Sequence, residues 1–593
     1  MRYGSIFQET PFDVPDDGIK VPIGINSKGV EENYVFNVKN NIPHTFLIGG
    51  SGSGKSYLIQ NVLLNAMLKY KAEDLEFYLM DFKMGGGEFR FYEGMPHVSH
   101  LLVDDADHQA VYEILSELKR KMGERGRKIE GNKDISTYNS LHPNDKLPYI
   151  ILVVDECHKL FEADSADSKM QEEINKVITY IVKEGRSQGV TFFFATQTFM
   201  GMKIPDEIKN LASNRYLMRV AVDSDASKLI NDGDKRNSQL SQGFAYHDAT
   251  REFIHIYDYK PYAEQAKKAI IAHNQRPAGR NNFVFSGKDM YRLADAHPVS
   301  KPYPVAFVGK SVSVGRQDVT IELRKKEGDN ILIAGINEHL QAERVFWNAA
   351  VSLAQQKLTD HRVTHITLID NFGDEDENYE ARYPYLQMLR QITQGNIQIA
   401  SELKSEREEA IARIGQIVRQ ENPEGENHLL FILGQECMKR IMTKSLPSQA
   451  TAPPPTDAPV IGTNRFGLPD MSQFVKNQQV QHAPASNVHD MEGSIKDELQ
   501  YIMRNGPFCH VHVVMQVNQP SNIFESVIRA EISEFFNHVI VLNCPNEEGR
   551  LLPSALSDVS IDRLNTSEEM LRAYYYNDHK NQYQMITPYM LIK

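Results

Sequence analysis

The chain alternates short apolar runs, typical of buried strands, with longer stretches in which apolar residues recur at helical spacing. The clearest pair is "TFLIGGSGSGKSYLIQNVLLNAML", where an apolar strand leads through a Gly/Ser loop into an apolar-periodic helix. Two further apolar runs, "PYIILVVDE" and "GVTFFFATQ", follow later. Strands that alternate with helices predict a doubly wound α/β domain with a mostly parallel sheet, whose ligand lies at the carboxyl ends of the strands.

The loop of the first strand–helix pair has the spacing GxxxxGK[ST]. Glycines in such a loop let backbone N–H groups approach phosphates, Lys55 reaches the β- and γ-phosphates, and Ser56 ligates Mg²⁺. The sequence therefore predicts a site for ATP and Mg²⁺. The predicted cofactor-binding residues are Gly49, Gly50, Ser51, Gly52, Ser53, Gly54, Lys55, Ser56 and Tyr57.

Two later strands end in the polar groups that a nucleotide hydrolase needs. Asp155 and Glu156 end the run "IILVVDE". We expect Asp155 to be the acid on the magnesium side, a metal ligand together with Ser56, and Glu156 to polarise the attacking water. Gln197 ends "TFFFATQ", where such folds place a γ-phosphate sensor. The predicted enzyme is an ATP hydrolase with Lys55, Asp155, Glu156 and Gln197 in its catalytic site.

The second half of the chain repeats the order of the first half. The run "DNILIAG" matches "HTFLIGG", "THITLIDN" matches "LEFYLMDF", and "LLFILGQEC" matches "IILVVDEC". When Gly335 is aligned on Gly49, Leu340, Gln341 and Ala342 replace Gly54, Lys55 and Ser56. Further along, Asp370 lies opposite Asp81, Gln435 replaces Asp155, Glu436 lies opposite Glu156, and Pro507 replaces Arg186.

These replacements remove the chemistry of the first site from the second. Without the lysine there is no charge-assisted phosphate contact, and without the serine and the aspartate both magnesium ligands are lost. We predict an active domain at residues 1–262, a linker at 263–299 and a degenerate copy at 300–593 that serves packing, regulation or cargo contact. Residues 445–493, rich in Pro, Ala, Ser, Asn and Gln, predict a disordered insertion in that copy.

Composition narrows the possible classes of protein. A length of 593 residues suits two or three domains, and 41% hydrophobic with 24% charged residues is a globular composition. The formal charge of -13 confines any nucleic-acid contact to local loops or a pore. Scattered cysteines and the lack of a long apolar stretch predict a cytoplasmic protein without membrane insertion. Any membrane association would need a partner or a segment outside this chain.

The ordered motifs "GGSGSGKS", "LMDFKMGGGEF", "GMPHV", "DISTYN", "EGRSQGVTFFFATQ" and "IKNLASNRYLMRV" resemble the FtsK/SpoIIIE motor domain of the FtsK/HerA branch of P-loop ATPases. The resemblance covers about residues 20–260. It implies a RecA-like fold, here as two tandem domains, in a hexameric ring that pulls double-stranded DNA, or in some branches protein, through a channel. It also implies that Arg186 acts across the subunit boundary, with Arg215 as a second candidate.

One loop also resembles a different branch of the family. Asp81 and Lys83 match the family's Asp-x-Lys signature, whereas Gly85–Gly87 looks closer to the first ATPase domain of type VII secretion motors. These glycines are equally compatible with a plain flexible turn. Translocation of double-stranded DNA is the leading prediction, and a soluble ATPase part of a type VII-like secretion system is the alternative. A scaffold gated by ATP binding, without turnover, is a third hypothesis.

Overall fold

The computed structural model describes eighteen stretches of the chain. These are residues 12–13, 15, 17–38, 44–83, 87–104, 108–161, 168–297, 299–336, 340–356, 358–372, 376–400, 404–434, 491–526, 531–556, 559, 561–564, 566–567 and 570–591. Two large sheets, one from each half of the chain, dominate the fold. No helix in these stretches is both long and apolar enough to cross a membrane.

The first sheet contains eleven strands in the order β11-β5-β4-β6-β7-β3-β8-β9-β10-β1-β2. From β11 to β8 the strands are parallel, and from β8 to β2 they are antiparallel. The strands are β1 (Gly18–Asn26), β2 (Glu31–Asn37), β3 (Thr45–Ile48), β4 (Leu75–Asp81), β5 (Val98–Val103), β6 (Tyr149–Asp155), β7 (Val190–Thr196), β8 (Asn214–Met218), β9 (Phe244–His247), β10 (Glu252–Ile256) and β11 (Phe283–Ser286).

Helices connect the parallel strands of this sheet. The central strands β3, β4, β6 and β7 are buried along their whole length, which explains their continuous apolar sequences. The helices are α1 (Lys55–Lys69), α2 (His108–Ile129), α3 (Ile135–Leu141), α4 (Ser168–Gly185), α5 (Asp206–Leu211), α6 (Asp223–Leu229), α7 (Gly233–Asn237) and α8 (Ala263–His273).

The second sheet has the order β14-β13-β24-β23-β20-β15-β19-β18-β16-β17, with β12 pairing β24. Its helices are α9 (Gln341–Gln355), α10 (Tyr379–Ile392), α11 (Lys404–Arg419), α12 (Met491–Asn505) and α13 (Pro520–Ser526). The strands of the second half, including a small separate pair β21 and β22, are β12 (Tyr291–Arg292), β13 (Val305–Ser311), β14 (Asp318–Glu322), β15 (Ile331–Ala334), β16 (Thr364–Asp370), β17 (Ile397–Ala400), β18 (Asn427–Leu433), β19 (Val511–Val517), β20 (His538–Val541), β21 (Thr566–Ser567), β22 (Met570–Leu571), β23 (Ala573–Asn577) and β24 (Gln582–Met590).

The two sheets have the same architecture. Reading β2-β1-β10-β9-β8-β3-β7-β6-β4-β5 in the first sheet and β14-β13-β24-β23-β20-β15-β19-β18-β16-β17 in the second gives ten corresponding strands in one order. In both, the strand before the loop lies beside the sensor strand, β3 with β7 and β15 with β19. The prediction of two tandem, mostly parallel α/β domains is therefore confirmed.

The stretch predicted as a linker, residues 263–299, contains regular structure. It includes α8, and β11 extends the first sheet by pairing in parallel with β5. The next strand, β12, pairs with β24 of the second sheet. Arg572, which is fully buried, donates to the carbonyl oxygen of Gly287 at 2.8 Å. This stretch therefore pairs with strands of both sheets, while the division of the chain into domains stays a prediction.

The predicted insertion at residues 445–493 falls almost wholly outside the described residues. Its last residues differ from the prediction, because α12 begins at Met491 and so includes residues 491–493. The apolar spacing in "SIKDELQYIM" accounts for this, since Leu499, Ile502 and Met503 are buried in the core.

Candidate nucleotide site

The loop between β3 and α1 is held in place by its backbone. The N–H of Gly49 donates to the carbonyl of Thr196 at 3.1 Å, and the N–H of Gly50 donates to that of Arg219 at 2.9 Å. Gly54 precedes α1 with φ 106°, a left-handed conformation that favours glycine. A Cβ at Gly54 would lie 3.0 Å from the Cε of Met218. The GxxxxGK[ST] pattern thus needs this glycine for both its backbone angle and its close packing.

The start of α1 is suited to an anion. Gly54 makes no side-chain capping hydrogen bond, so the first N–H groups of this 15-residue helix lie beside the loop without a side-chain cap. The hydroxyl of Ser53, 5% exposed, has no hydrogen-bond partner among the described residues. Backbone donors and an orphaned hydroxyl in one loop fit the phosphates of a nucleotide.

Lys55, Asp155, Glu156 and Gln197 form one group, which we call the Lys55 cluster. The Nζ of Lys55 is ion-paired with Asp155 and lies 3.2 Å from Oε1 of Glu156. The Nε2 of Gln197 donates to the same Glu156 oxygen. The first three residues are 7%, 3% and 5% exposed. The buried Lys55, Asp155 and Glu156 thus meet the exposed Gln197, which follows β7, at the carboxyl edge of the sheet.

Burial and ion pairing shift the pKa values of the two carboxylates in the Lys55 cluster in opposite directions. Burial raises the pKa of Asp155, and the ion pair with Lys55 only partly offsets this. Burial also acts to raise the pKa of Glu156, but His158, Lys55 and Gln197 outweigh it and lower that pKa to about 2. The pKa of Lys55 is raised, because the two carboxylates outweigh the effect of burial. Glu156 and Lys55 are therefore charged at neutral pH.

The backbone at Glu156 is unusual. Its φ is 54°, a left-handed value that is uncommon for a residue with a side chain. Such conformations cluster at functional sites, where the surrounding structure holds them. Here the buried position and the contacts with Lys55 and Gln197 hold Glu156.

Comparison with known proteins finds relatives for part of the first half of the chain. Residues 5–200 match the sequence model of the FtsK/SpoIIIE family. DNA translocase FtsK of Bacillus cereus is 30% identical over 213 residues, covering 34% of this chain and 26% of the relative. DNA translocase SpoIIIE of Bacillus subtilis is 27% identical over 230 residues, covering 37% and 28%. The chain thus spans about a quarter of the length of these relatives.

Solved structures extend the likeness in fold from the first domain to the whole chain. The cytoplasmic domain of the Thermomonospora curvata type VII secretion ATPase EccC superposes with a TM-score of 0.64 at 15% identity, covering 100% of this chain and 65% of that chain. ATPases 2 and 3 of EssC from Geobacillus thermodenitrificans give a TM-score of 0.51 at 15% identity, covering 98% of both chains. These likenesses confirm the tandem P-loop ATPase fold.

The two candidate arginines of the first domain lie away from the Lys55 cluster. Arg186 is exposed between α4 and β7, and its Nε donates to the carbonyl of Val38 at 3.3 Å. Since β7 has seven residues, Arg186 is about 20 Å from the carboxyl edge of its own sheet. Arg215, near the amino end of β8, is bound within its own chain. Its guanidinium donates to the carbonyls of Lys209, Ala212 and Leu229 at 3.1, 2.9 and 3.0 Å.

The remaining predicted residues of this domain lie around the Lys55 cluster. Ser56 follows Lys55 in the first turn of α1. The ring of Tyr57 packs edge-on against Tyr259, with ring centroids 5.3 Å apart. Asp81 lies opposite Asp155 in the register of β4 and β6, and burial, joined by the charge of Asp155, raises its pKa to about 6. Asp81 also accepts from the N–H of Lys83 at 2.9 Å, while Gly85 and Gly86 lie outside the described residues.

Sequence reasoning missed two features of the site. His158 places Nδ1 3.3 Å from Oε2 of Glu156. The sequence signal that could have predicted this contact is that His158 lies only two residues after Glu156. Met218 and Gly243 pack against Gly54 from β8 and from the residue before β9. Met218 lies within the motif "IKNLASNRYLMRV" and Gly243 in none of the motifs, and because both are remote from Gly54 in sequence, only the sheet order brings them to the loop.

The start of α9 in the second domain has a different charged cluster, in which the buried Glu343 accepts from Nε of Arg382 at 2.6 Å. Leu340 precedes α9 with φ 59°, where Gly54 precedes α1. Gln341, in the place of Lys55, is 1% exposed, and neither polar atom of its side chain has a partner in the described part of the chain. Gln435 and Glu436 lie outside the described residues, so their predicted correspondence to Asp155 and Glu156 stays a prediction.

Proposed function

We propose that this chain is an ATP-driven motor of the FtsK/SpoIIIE type, which hydrolyses ATP in its first domain and moves double-stranded DNA through an oligomeric ring. The observation that carries the proposal is the Lys55 cluster. Four side chains from three separate parts of the sequence converge beside an uncapped helix start, in the geometry that γ-phosphate chemistry needs.

In this mechanism each residue has one task. Lys55 exchanges its carboxylate partners for the β- and γ-phosphates, while the N–H groups of Gly49–Tyr57 hold the phosphate oxygens. Ser56 and Asp155 would hold Mg²⁺, which would supply positive charge beside the phosphates. Glu156, kept ionised, orients the attacking water and accepts its proton. Gln197, hydrogen-bonded to Glu156, senses the γ-phosphate and positions that carboxylate.

A ring supplies the arginine that a single subunit lacks beside its own Lys55 cluster. Among the described residues, neither candidate arginine approaches the Lys55 cluster of its own subunit. Arg186 is exposed at the opposite edge of the sheet, where it is available to a neighbouring copy. We assign it as the arginine that completes the γ-phosphate site of the next subunit in a hexamer. A cytoplasmic location, where ATP is available, belongs to the same proposal.

The DNA substrate is supported by the relatives of the first domain, which are named DNA translocases. The acidic charge of -13 confines the DNA contact to the ring's channel. A second candidate is the ATPase part of a type VII-like protein secretion system. The observation that favours it is the tandem of two like domains in one chain, of which the second lacks the lysine.

The deciding experiment measures ATP turnover by the whole chain alone, with duplex DNA and with a helical secretion-signal peptide. Stimulation by duplex DNA supports the leading proposal, and stimulation by the peptide alone supports secretion. Lys55→Ala is the matched control, and its rate must fall to background under every condition. Tight ATP binding with negligible turnover under all conditions would contradict both proposals and favour a nucleotide-gated scaffold.

A further inference from the structure

A cavity of about 280 Å³ opens beside the segment that follows Gln197, between α5 and α6. Its floor is apolar and is formed by Phe46, Phe199, Met202, Ile204 and Leu229. A cavity of about 150 Å³ already admits a ring the size of benzene. This cavity therefore has room for a large apolar side chain of another molecule.

Two lysines line the rim of the cavity, and no carboxylate is among its lining residues. The side chains of Lys209 and Lys228 are 45% and 52% exposed. Lys209 lies 3.4 Å from Asp206, whose side chain is 91% exposed, so this pair contributes little. A third cation, Arg215, is tied to backbone carbonyls and shapes the cavity wall. Lys209 and Lys228, the latter 3.5 Å from the buried Asp225, thus lie beside apolar lining residues.

Three exposed apolar side chains lie close in sequence to the residues that line the cavity. Met200, Leu211 and Val222 are 68%, 38% and 49% exposed. Each is within two residues of a lining residue or directly precedes the lining helix α6. A phosphate backbone would satisfy the lysines but would bring no apolar group to the floor. A polypeptide segment with carboxylates on one side and apolar residues on the other satisfies both.

We propose that this cavity docks an acidic, amphipathic segment of a partner polypeptide. Its apolar side chains fill the floor, and its carboxylates pair with Lys209 and Lys228. The proposal concerns a partner and holds whether the motor's cargo is DNA or protein.

The cavity is connected to the Lys55 cluster through Asp225. Asp225, 5% exposed, accepts from the hydroxyl of Thr198 at 2.6 Å and from the N–H of Phe199 at 3.2 Å. It also lies 3.5 Å from Nζ of Lys228 on the rim. Because Thr198 directly follows Gln197, an occupant that moves Lys228 or Phe199 shifts the side chain that contacts Glu156. We expect docking to change the rate of ATP hydrolysis, a step that rests on the proposed function.

The binding test uses a fluorescent synthetic peptide of repeating Leu and Glu at helical spacing, titrated with the whole chain. We expect saturable binding that weakens about 10-fold, or about 1.4 kcal/mol, in Lys209→Glu and in Met202→Asp. Matched controls are Lys268→Glu, an exposed lysine on α8, and Met290→Asp, a methionine 53% exposed elsewhere. Both controls should bind the peptide as the wild type does.

Several outcomes would overturn the docking proposal. The first is failure of the peptide to bind saturably, and the second is binding that weakens as much in the control variants as in Lys209→Glu and Met202→Asp. A peptide with Lys in place of Glu that binds as tightly would also overturn the proposal. Competition by short duplex DNA that depends on Lys209 but not on Met202 would assign the rim to nucleic acid instead. Circular dichroism of each variant separates lost binding from lost folding.

Coupling is tested separately with Asp225→Asn. This variant should bind the peptide within about 3-fold of wild type, because the rim lysines and the floor remain. The change in ATP turnover that we expect when peptide is added to the wild type should disappear in this variant. An unchanged response would refute the connection through Asp225. Peptide binding without any ATP turnover in the wild type would refute the proposed function and leave the docking site standing.

Discussion

The two phosphate-loop positions of this chain have the same backbone and different chemistry. The N–H of Gly49 donates to Thr196 at 3.1 Å, and the N–H of Gly335 donates to Val517 at 3.1 Å. The next residues repeat the match, with 2.9 Å from Gly50 to Arg219 and 2.8 Å from Ile336 to Asn543. Both helices are preceded by a left-handed residue, Gly54 or Leu340. The frame therefore persists without the glycine and the lysine.

The difference lies in what the first helical residue contacts. Lys55 is paired with two buried carboxylates, whereas Gln341 is buried with no partner among the described residues. A buried amide without partners costs about 1–3 kcal/mol. The second frame thus persists despite a polar residue that does not help to fold it. We infer that packing of the strand against its neighbours builds the loop, and that the charge at the first helical residue is not needed to form it.

The largest expected effects separate binding from hydrolysis in the first site. Lys55→Ala should abolish nucleotide binding, because it removes the charge that grips the phosphates. Glu156→Gln should bind ATP and trap it, because the carboxylate serves only the hydrolysis step. Equilibrium binding of a fluorescent ATP analogue and steady-state turnover distinguish the two. If both variants hydrolyse ATP at the wild-type rate, the active site lies elsewhere.

Arg186→Ala should lose about 10³-fold in turnover, the scale of a missing arginine finger, while binding ATP normally. The second domain has Pro507 at the matching position, so this test extends the comparison from the loop to the subunit boundary. Mixing Arg186→Ala with Lys55→Ala subunits should restore part of the activity, since some boundaries pair an intact lysine with an intact arginine. No recovery in demonstrably mixed oligomers, or full wild-type activity in a strictly monomeric preparation, would contradict a role in trans.

The same substitution in both loops should have opposite effects on stability. Lys55→Leu should lower the free energy of unfolding by about 3–5 kcal/mol, because it leaves two buried carboxylates unpaired. Gln341→Leu should raise it by about 1 kcal/mol, because it removes a buried amide that has no partner among the described residues. Urea denaturation at neutral pH measures both. Destabilisation by Gln341→Leu would show that the amide makes a contact that the protein needs.

The smallest effects are expected from the chemistry of the second loop. Gln341→Ala and Glu436→Gln should leave ATP turnover within about 3-fold of wild type, since neither residue touches the γ-phosphate chemistry of the first site. Turnover of each purified variant at saturating ATP is the measurement. Mg-ATP bound at Gly335 in a structure with nucleotide would refute the description of this loop as degenerate.

Much of the site was predictable because its signals are local in sequence. The P-loop pattern, the apolar run before Asp155 and the polar end of β7 each lie within one strand and its following turn. Parallel strands end at one edge of a sheet, so these patterns are enough to predict that Lys55, Asp155, Glu156 and Gln197 meet. The tandem repeat was visible for the same reason, because apolar periodicity survives the loss of charged residues.

Sequence alone thus determined the fold class, the repeat and the identity of the Lys55 cluster. Tertiary structure alone decided which segments extend the first sheet and what the candidate arginine Arg215 contacts. β11 joins the edge of the first sheet from a stretch that reads as a linker, and Arg215 is occupied by three carbonyls from α5, the residue after it and α6. Neither follows from a local pattern, because edge pairing and long side-chain contacts depend on which segments lie adjacent after folding. A residue type defines what a side chain can bind, and packing determines what it meets.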